Sequence, residues 1–147
     1  MEKNFLIIGI AISVGVNFFL LYNRKKQWAT DRLRWTICGL LLIVGLFFIT
    51  SSKAKTDYEF MVFSCCLITP IIYNSIDRLF KKLCKQFYGR DFYRWLRYSS
   101  EIDDRLFGKN PHVKGLDILF SISLVFLIII LPVIVLLLKQ VIVKEIL

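Results

Sequence analysis

Four long apolar runs, separated by polar stretches, constrain the fold of this 147-residue chain more than any other feature. The clearest run covers residues 116–138 and consists mostly of Leu, Ile, Val and Phe. An α-helix rises 1.5 Å per residue, so about 20 residues cross the hydrocarbon core of a bilayer, which is roughly 30 Å thick. The runs predict an all-α, polytopic membrane protein with four transmembrane helices, near residues 4–23, 34–52, 58–77 and 115–138, in a single membrane domain of residues 1–147.

A cleaved signal peptide is the competing interpretation of the first run, residues 4–22. The apolar core of a cleaved signal peptide is about 7–15 residues long and precedes a small-residue cleavage site. This run is longer, and the basic residues Arg24, Lys25 and Lys26 follow it. We therefore interpret it as a retained membrane span.

The distribution of basic residues predicts the orientation of the four spans. If the spans alternate, residues 24–34 and 78–114 share one side and together contain fifteen Lys or Arg, against five on the other side. Cytoplasmic loops are enriched in Lys and Arg. The sequence therefore predicts an integral protein of a bacterial inner (cytoplasmic) membrane, with both termini on the non-cytoplasmic side.

The polar segment of residues 78–114 is both basic and aromatic. Apolar residues at 79, 80, 83, 84, 87 and 88 form one helical stripe opposite lysines, which predicts a basic amphipathic helix that either continues the third span or lies in the membrane interface. A second amphipathic helical piece is expected from Phe92, and a helix start at Ser99. Such a segment can contact anionic lipid headgroups or an acidic protein partner, or it can serve topology alone; nucleic acid is not favoured. The candidate contact residues are Lys81, Lys82, Lys85, Arg90, Arg94, Trp95 and Arg97.

Small, polar and proline residues within the spans are candidates for helix packing. Small residues four apart allow close approach of helix backbones, either within one four-helix bundle or between copies of the chain. Pro70 predicts a kinked third span, in which Thr69 is well placed to satisfy the freed carbonyl. The packing candidates, which an oligomeric pore would also use, are Gly9, Ser13, Gly15, Asn17, Pro70 and Pro132.

Few residues have side chains suited to catalysis, metal binding or ion transport. The cysteines at 38, 65, 66 and 84 lack metal-site spacing and are expected to be free thiols, so neither a metal nor a cofactor is predicted. Asp77 and Asp117 are expected to form ion pairs near Arg78 and Lys114. Because no ionisable side chain lies mid-span, an ion-coupled transporter is not favoured.

One short pattern has enzymatic character. Arg105 and His112, separated by six residues, resemble the Arg-x(4–6)-His signature of HEPN-type ribonucleases. The resemblance covers eight residues, and Leu106 stands where that signature usually has a polar residue. It implies ribonuclease activity as a remote alternative only.

The favoured hypothesis is a small non-enzymatic interaction protein of four spans, of the immunity, defence or regulatory kind, that acts through its basic segment. A homo-oligomeric pore or channel gated through the same segment is the alternative. A pore requires several copies, because four short helices cannot enclose a polar lumen.

Overall fold

The computed structural model describes residues 3–96, 99, 101–102 and 110–146. That part of the chain is helical without strands, and helix accounts for 78% of the structure. It divides into two compact units, a first unit within residues 1–74 and 128–147 and a second unit of residues 75–127. The helices are α1 (Lys3–Tyr22), α2 (Asp31–Ile49), α3 (Ser52–Thr56), α4 (Tyr58–Tyr88) and α5 (Gly115–Ile146).

Four of these helices are long and apolar enough to cross a membrane: Asn4–Tyr22, Asp31–Ile49, Tyr58–Tyr88 and Gly115–Leu137. The all-helical class and the four apolar helices are thus confirmed. The second helix begins three residues earlier than predicted, because the Thr30 hydroxyl accepts a hydrogen bond from the N–H of Leu33 at 3.3 Å and caps the helix there.

In the first unit, α1 packs closely along α4. A Cβ added at Gly9 would lie 2.8 Å from the Cα of Phe63, so only glycine allows this approach. One turn later, the Ser13 hydroxyl lies 2.5 Å from that of Thr69. Because both sequence numbers increase together along the contact, α1 and the first half of α4 run in the same direction.

Helix α2 packs on the same part of α4 in the opposite direction. A Cβ added at Gly45 would lie 2.9 Å from the carbonyl oxygen of Ser64. The Cys38 thiol donates to the carbonyl of Pro70 at 3.4 Å. Two glycines thus let α1 and α2 approach the α4 backbone, as expected for helices that associate through close packing.

The helix α4 continues through Pro70. Proline has no N–H to donate to the carbonyl four residues earlier, that of Cys66. The Thr69 hydroxyl donates to this carbonyl at 2.8 Å, as predicted, and Ser13 must therefore be the donor in its bond to Thr69. The hydroxyls thus replace the missing backbone bond and join α1 to α4.

In the second unit, α4 extends to Tyr88 as one uninterrupted helix and ends at Gly89, whose φ of 68° lies in the left-handed region. The prediction that a second amphipathic helix begins at Phe92 is wrong for residues 91–96, which are not helical. The reason is that polar side chains of α5, and not the helical carbonyls, accept from the N–H groups of Tyr93 and Trp95. The proposed helix start at Ser99 borders residues 103–109, which lie outside the described part.

Candidate functional site

The second unit is organised around the buried carboxylate of Asp117, in the first turn of α5. Two nitrogens of Arg90 donate to its two oxygens, at 3.0 and 2.8 Å. The backbone N–H groups of Tyr93 and Lys114 add bonds of 2.9 and 2.7 Å. Bidentate Arg–carboxylate pairs are among the strong, geometrically specific hydrogen bonds. One side chain therefore fixes the position of the loop after α4 and the start of α5.

Arg90 makes several further contacts through its guanidinium group. Its Nη1 and Nη2 also donate to the carbonyls of Asp91 and His112, at 2.9 and 3.0 Å. The guanidinium carbon lies 4.3 Å from the ring centroid of Tyr93. The pKa of Arg90 is raised, chiefly by the hydrogen bonds to Asp117. The guanidinium of Arg90 is therefore committed to the interior network.

A second arginine, Arg94, is buried in the same loop. Its Nη2 lies 3.5 Å from the Glu101 carboxylate, and its Nε donates to the Ser99 hydroxyl at 3.2 Å. Its backbone N–H donates to the other Glu101 oxygen at 2.9 Å. The pairing compensates both charges where water is excluded.

Ser121, one turn after Asp117, joins the loop to α5 a second time. Its hydroxyl donates to the Asp117 carbonyl at 2.7 Å and accepts from the N–H of Trp95 at 2.9 Å. Beside it, the Phe120 ring stacks on Phe80 of α4 with centroids 4.4 Å apart. Polar bonds and ring packing thus position the same loop.

The charges that point outward from this unit are all positive among the described residues. Arg78, Lys82, Lys85 and Lys114 are exposed; we call these four the cationic surface. The described acidic residues are buried or half-buried instead, and they are Asp77, Asp91, Glu101 and Asp117. The described part of the unit therefore presents exposed charge of one sign, and that charge is positive.

The predicted contact residues divide between this surface and the interior. Lys82 and Lys85 are exposed, Lys81 and Trp95 are half-buried, and Arg90 and Arg94 belong to the network. Arg97 and Arg105 lie outside the described residues. His112 is exposed, and its Nε2 lies 2.9 Å from the Glu101 carbonyl.

Sequence reasoning missed the central role of Asp117. Its side-chain partner is Arg90, not the lysine three residues before it, which contributes only its backbone N–H. The available signal was a carboxylate just inside an apolar run, where an unpaired charge is costly. The identity of the partner, 27 residues away, had no sequence signal.

The packing candidates lie mostly inside the first unit. Gly9, Ser13, Asn17 and Pro70 are buried, as is Pro132 within α5, whereas Gly15 is exposed and a Cβ there would meet nothing within 4 Å. The Asn17 side chain is 0% exposed, and neither of its polar atoms has a hydrogen-bond partner among the described residues. Its burial within one chain places it away from the outer surface.

The cysteines are free thiols; Cys38, Cys66 and Cys84 are buried, and Cys65 is half-buried. Within the described ranges, no group of three His, Cys, Asp or Glu side chains could hold a metal ion.

The fold and the network define an all-helical protein with four helices of membrane-spanning length and a polar network between α4 and the first turns of α5. No protein-family model, curated protein or solved structure matches the chain.

Proposed function

We propose that this chain is a non-enzymatic interaction protein of a bacterial inner membrane, crossing it four times with both termini outside. In this proposal it acts through the cationic surface, which binds an anionic partner at the cytoplasmic face. The role proposed is one in immunity, defence or regulation, by analogy with other small four-span membrane proteins.

The observation that carries the proposal is the separation of charge in the second unit. Among the described residues of this unit, the exposed charges are cations. Asp117 and Glu101 belong to the interior network, Asp77 is buried and Asp91 is half-buried. A surface of one sign attracts partners of the opposite sign and excludes like-charged ones. Because Asp117 and Glu101 are occupied by arginines, they do not neutralise the outward-facing lysines.

The described residues give less support to the two alternatives, the homo-oligomeric pore and the ribonuclease. A homo-oligomeric pore would use Ser13 and Asn17 in a lumen between copies, but both are buried within one chain. For the ribonuclease alternative, Arg105 lies outside the described residues, and His112 alone does not make the Arg–His pair that the signature requires. Neither alternative has an observation that favours it over an interaction role.

The test is quantitative co-purification from native membranes with a matched charge control. The variant Lys82→Glu/Lys85→Glu reverses two exposed cations of the cationic surface. The control, Lys25→Glu/Lys26→Glu, reverses two exposed cations of the first connector and changes the net charge equally. We expect the first variant to lose, at least tenfold, an anionic protein or lipid component that the control retains. Equal retention by both variants would refute the proposal.

The orientation is tested separately with reporter fusions. Fusions at either terminus should report a non-cytoplasmic location, and an insertion after Gly89 a cytoplasmic one. Cytoplasmic signals from both termini would overturn the orientation.

A further inference from the structure

Two contacts within the second unit show which residues of α4 and α5 lie beside each other. The stacked rings of Phe80 and Phe120 lie 4.4 Å apart. The Cys84 sulfur lies 3.9 Å from an oxygen of Asp117. The two helices are therefore antiparallel here, and Asp117 lies at the level of Cys84.

This alignment locates the edge of the apolar surface on both helices. On α5, exposed apolar side chains begin at Leu119, which is 55% exposed, and recur at Ile122 and Phe126. On α4, Leu79 is 51% exposed on the same side of the Asp117 level. Arg78, next to Leu79, is exposed as well, so on α4 the boundary of a surrounding hydrocarbon layer falls between the levels of Arg78 and Cys84.

The lysines of the cationic surface lie close to this boundary. Lys82 is two residues from Cys84 on the apolar side, about 3 Å along the helix, and Lys85 is about 1.5 Å beyond it. Lys114 lies just before α5, with its ammonium 4.5 Å from the Tyr88 ring centroid. A headgroup layer is roughly 5–7 Å thick on each side of the hydrocarbon core. Because lysine side chains extend toward the polar side, all three ammonium groups reach that layer.

We propose that Lys82, Lys85 and Lys114 bind the phosphate groups of anionic phospholipids in this layer. The inference rests on the proposed function, since it names the anionic partner of the same surface. Phe87 is 69% exposed at the same level, where aromatic side chains accumulate in membrane proteins.

The level of the lysines in the membrane favours a lipid over an acidic protein as the anionic partner. A protein partner must approach from the aqueous side, whereas lipid phosphates lie at the level of these ammonium groups around an inserted chain. Each cation near an anionic surface strengthens association by about fivefold, so two contribute roughly 25-fold.

The experiment measures lipid retention by the full chain in nanodiscs of phosphatidylcholine with a minority of phosphatidylglycerol. Native mass spectrometry then gives the ratio of the two lipids that stay bound. Lys82→Gln/Lys85→Gln should reduce the preference for phosphatidylglycerol roughly 25-fold, and Lys114→Gln by about fivefold. The charge-preserving control Lys82→Arg/Lys85→Arg should retain it.

The other outcomes separate the possible sources of the anion. No preference for phosphatidylglycerol in the wild type, or an equal loss in the control, overturns the proposal. Displacement of the lipid by millimolar inorganic phosphate would identify a soluble phosphate as the ligand and also overturns it. If lipid preference is absent but the native-membrane co-purification still depends on Lys82 and Lys85, the partner is an acidic protein, and only the lipid inference fails.

Discussion

The ion pair of Arg90 and Asp117 should be the most sensitive point of the second unit. Breaking a buried ion pair by removing one partner costs about 3–5 kcal/mol. The Arg90 side chain is 27% exposed, and Asp117 keeps two backbone donors, so we expect about 2–3 kcal/mol for Arg90→Ala. Asp117→Ala also leaves the N–H groups of Tyr93 and Lys114 without their acceptor, and each costs about 1–3 kcal/mol. Its total cost should therefore exceed that of Arg90→Ala.

Denaturant titration in neutral detergent micelles, followed by Trp95 fluorescence, measures these free energies of unfolding. Trp28→Phe and Trp35→Phe in the background leave Trp95 as the reporter, and its backbone N–H is bonded within the network. In a double-mutant cycle, the loss in the double variant should be smaller than the sum of the single losses by about 1–2 kcal/mol.

The matched control is Lys82→Ala, which removes an exposed cation from the same unit. It should change the free energy of unfolding by less than about 0.5 kcal/mol. Additive losses for Arg90→Ala and Asp117→Ala, or losses no larger than that of the control, would refute the role assigned to the pair.

Three further substitutions test the first unit by thermal unfolding in detergent. Gly9→Val should destabilise by about 1–3 kcal/mol, because its Cβ would meet α4 backbone at 2.8 Å, whereas Gly15→Val, in open space, should be neutral; equal effects would refute close packing. Asn17→Leu should stabilise by about 1–3 kcal/mol, since it removes a buried amide that has no hydrogen-bond partner among the described residues; destabilisation would refute this reasoning. Thr69→Val should lower the free energy of unfolding by about 1–3 kcal/mol, because the Cys66 carbonyl loses its donor, and the exposed Thr36→Val should lower it much less. Equal losses would contradict the role of Thr69 in replacing the backbone bond that Pro70 cannot make.

The features that depend on local sequence could be predicted. Each long helix follows from an apolar run of membrane-spanning length, and the Thr69 hydroxyl bond involves residues only three apart. The continuation of α4 to Tyr88 follows from an apolar stripe without a helix breaker before Gly89. A helix end that depends on a single capping residue, such as Thr30 before α2, could not be predicted in this way, because hydrophobic periodicity does not show where the cap lies.

The loop after α4 could not be predicted in the same way. Residues 91–96 have a sequence compatible with an amphipathic helix, yet Asp117 and Ser121 accept from N–H groups that such a helix would use internally. These acceptors lie 24 and 26 residues away from their donors. Tertiary hydrogen bonds over such separations override local helical preference.

Among the described cations of the second unit, the buried arginines and the exposed lysines have different roles that follow from their chemistry, whereas Arg78 is an arginine on the cationic surface. The cations committed to the interior network, Arg90 and Arg94, are arginines, each paired with a carboxylate and hydrogen-bonded to a further oxygen. A guanidinium offers five donors in a fixed plane and is weakly hydrated, so it can enter an interior and satisfy several acceptors together. An ammonium is compact and strongly hydrated, which favours the exposed positions of Lys82, Lys85 and Lys114. The arginines thus neutralise the carboxylates that would otherwise cancel the field of the lysines, and the interior network is what leaves the surface cationic.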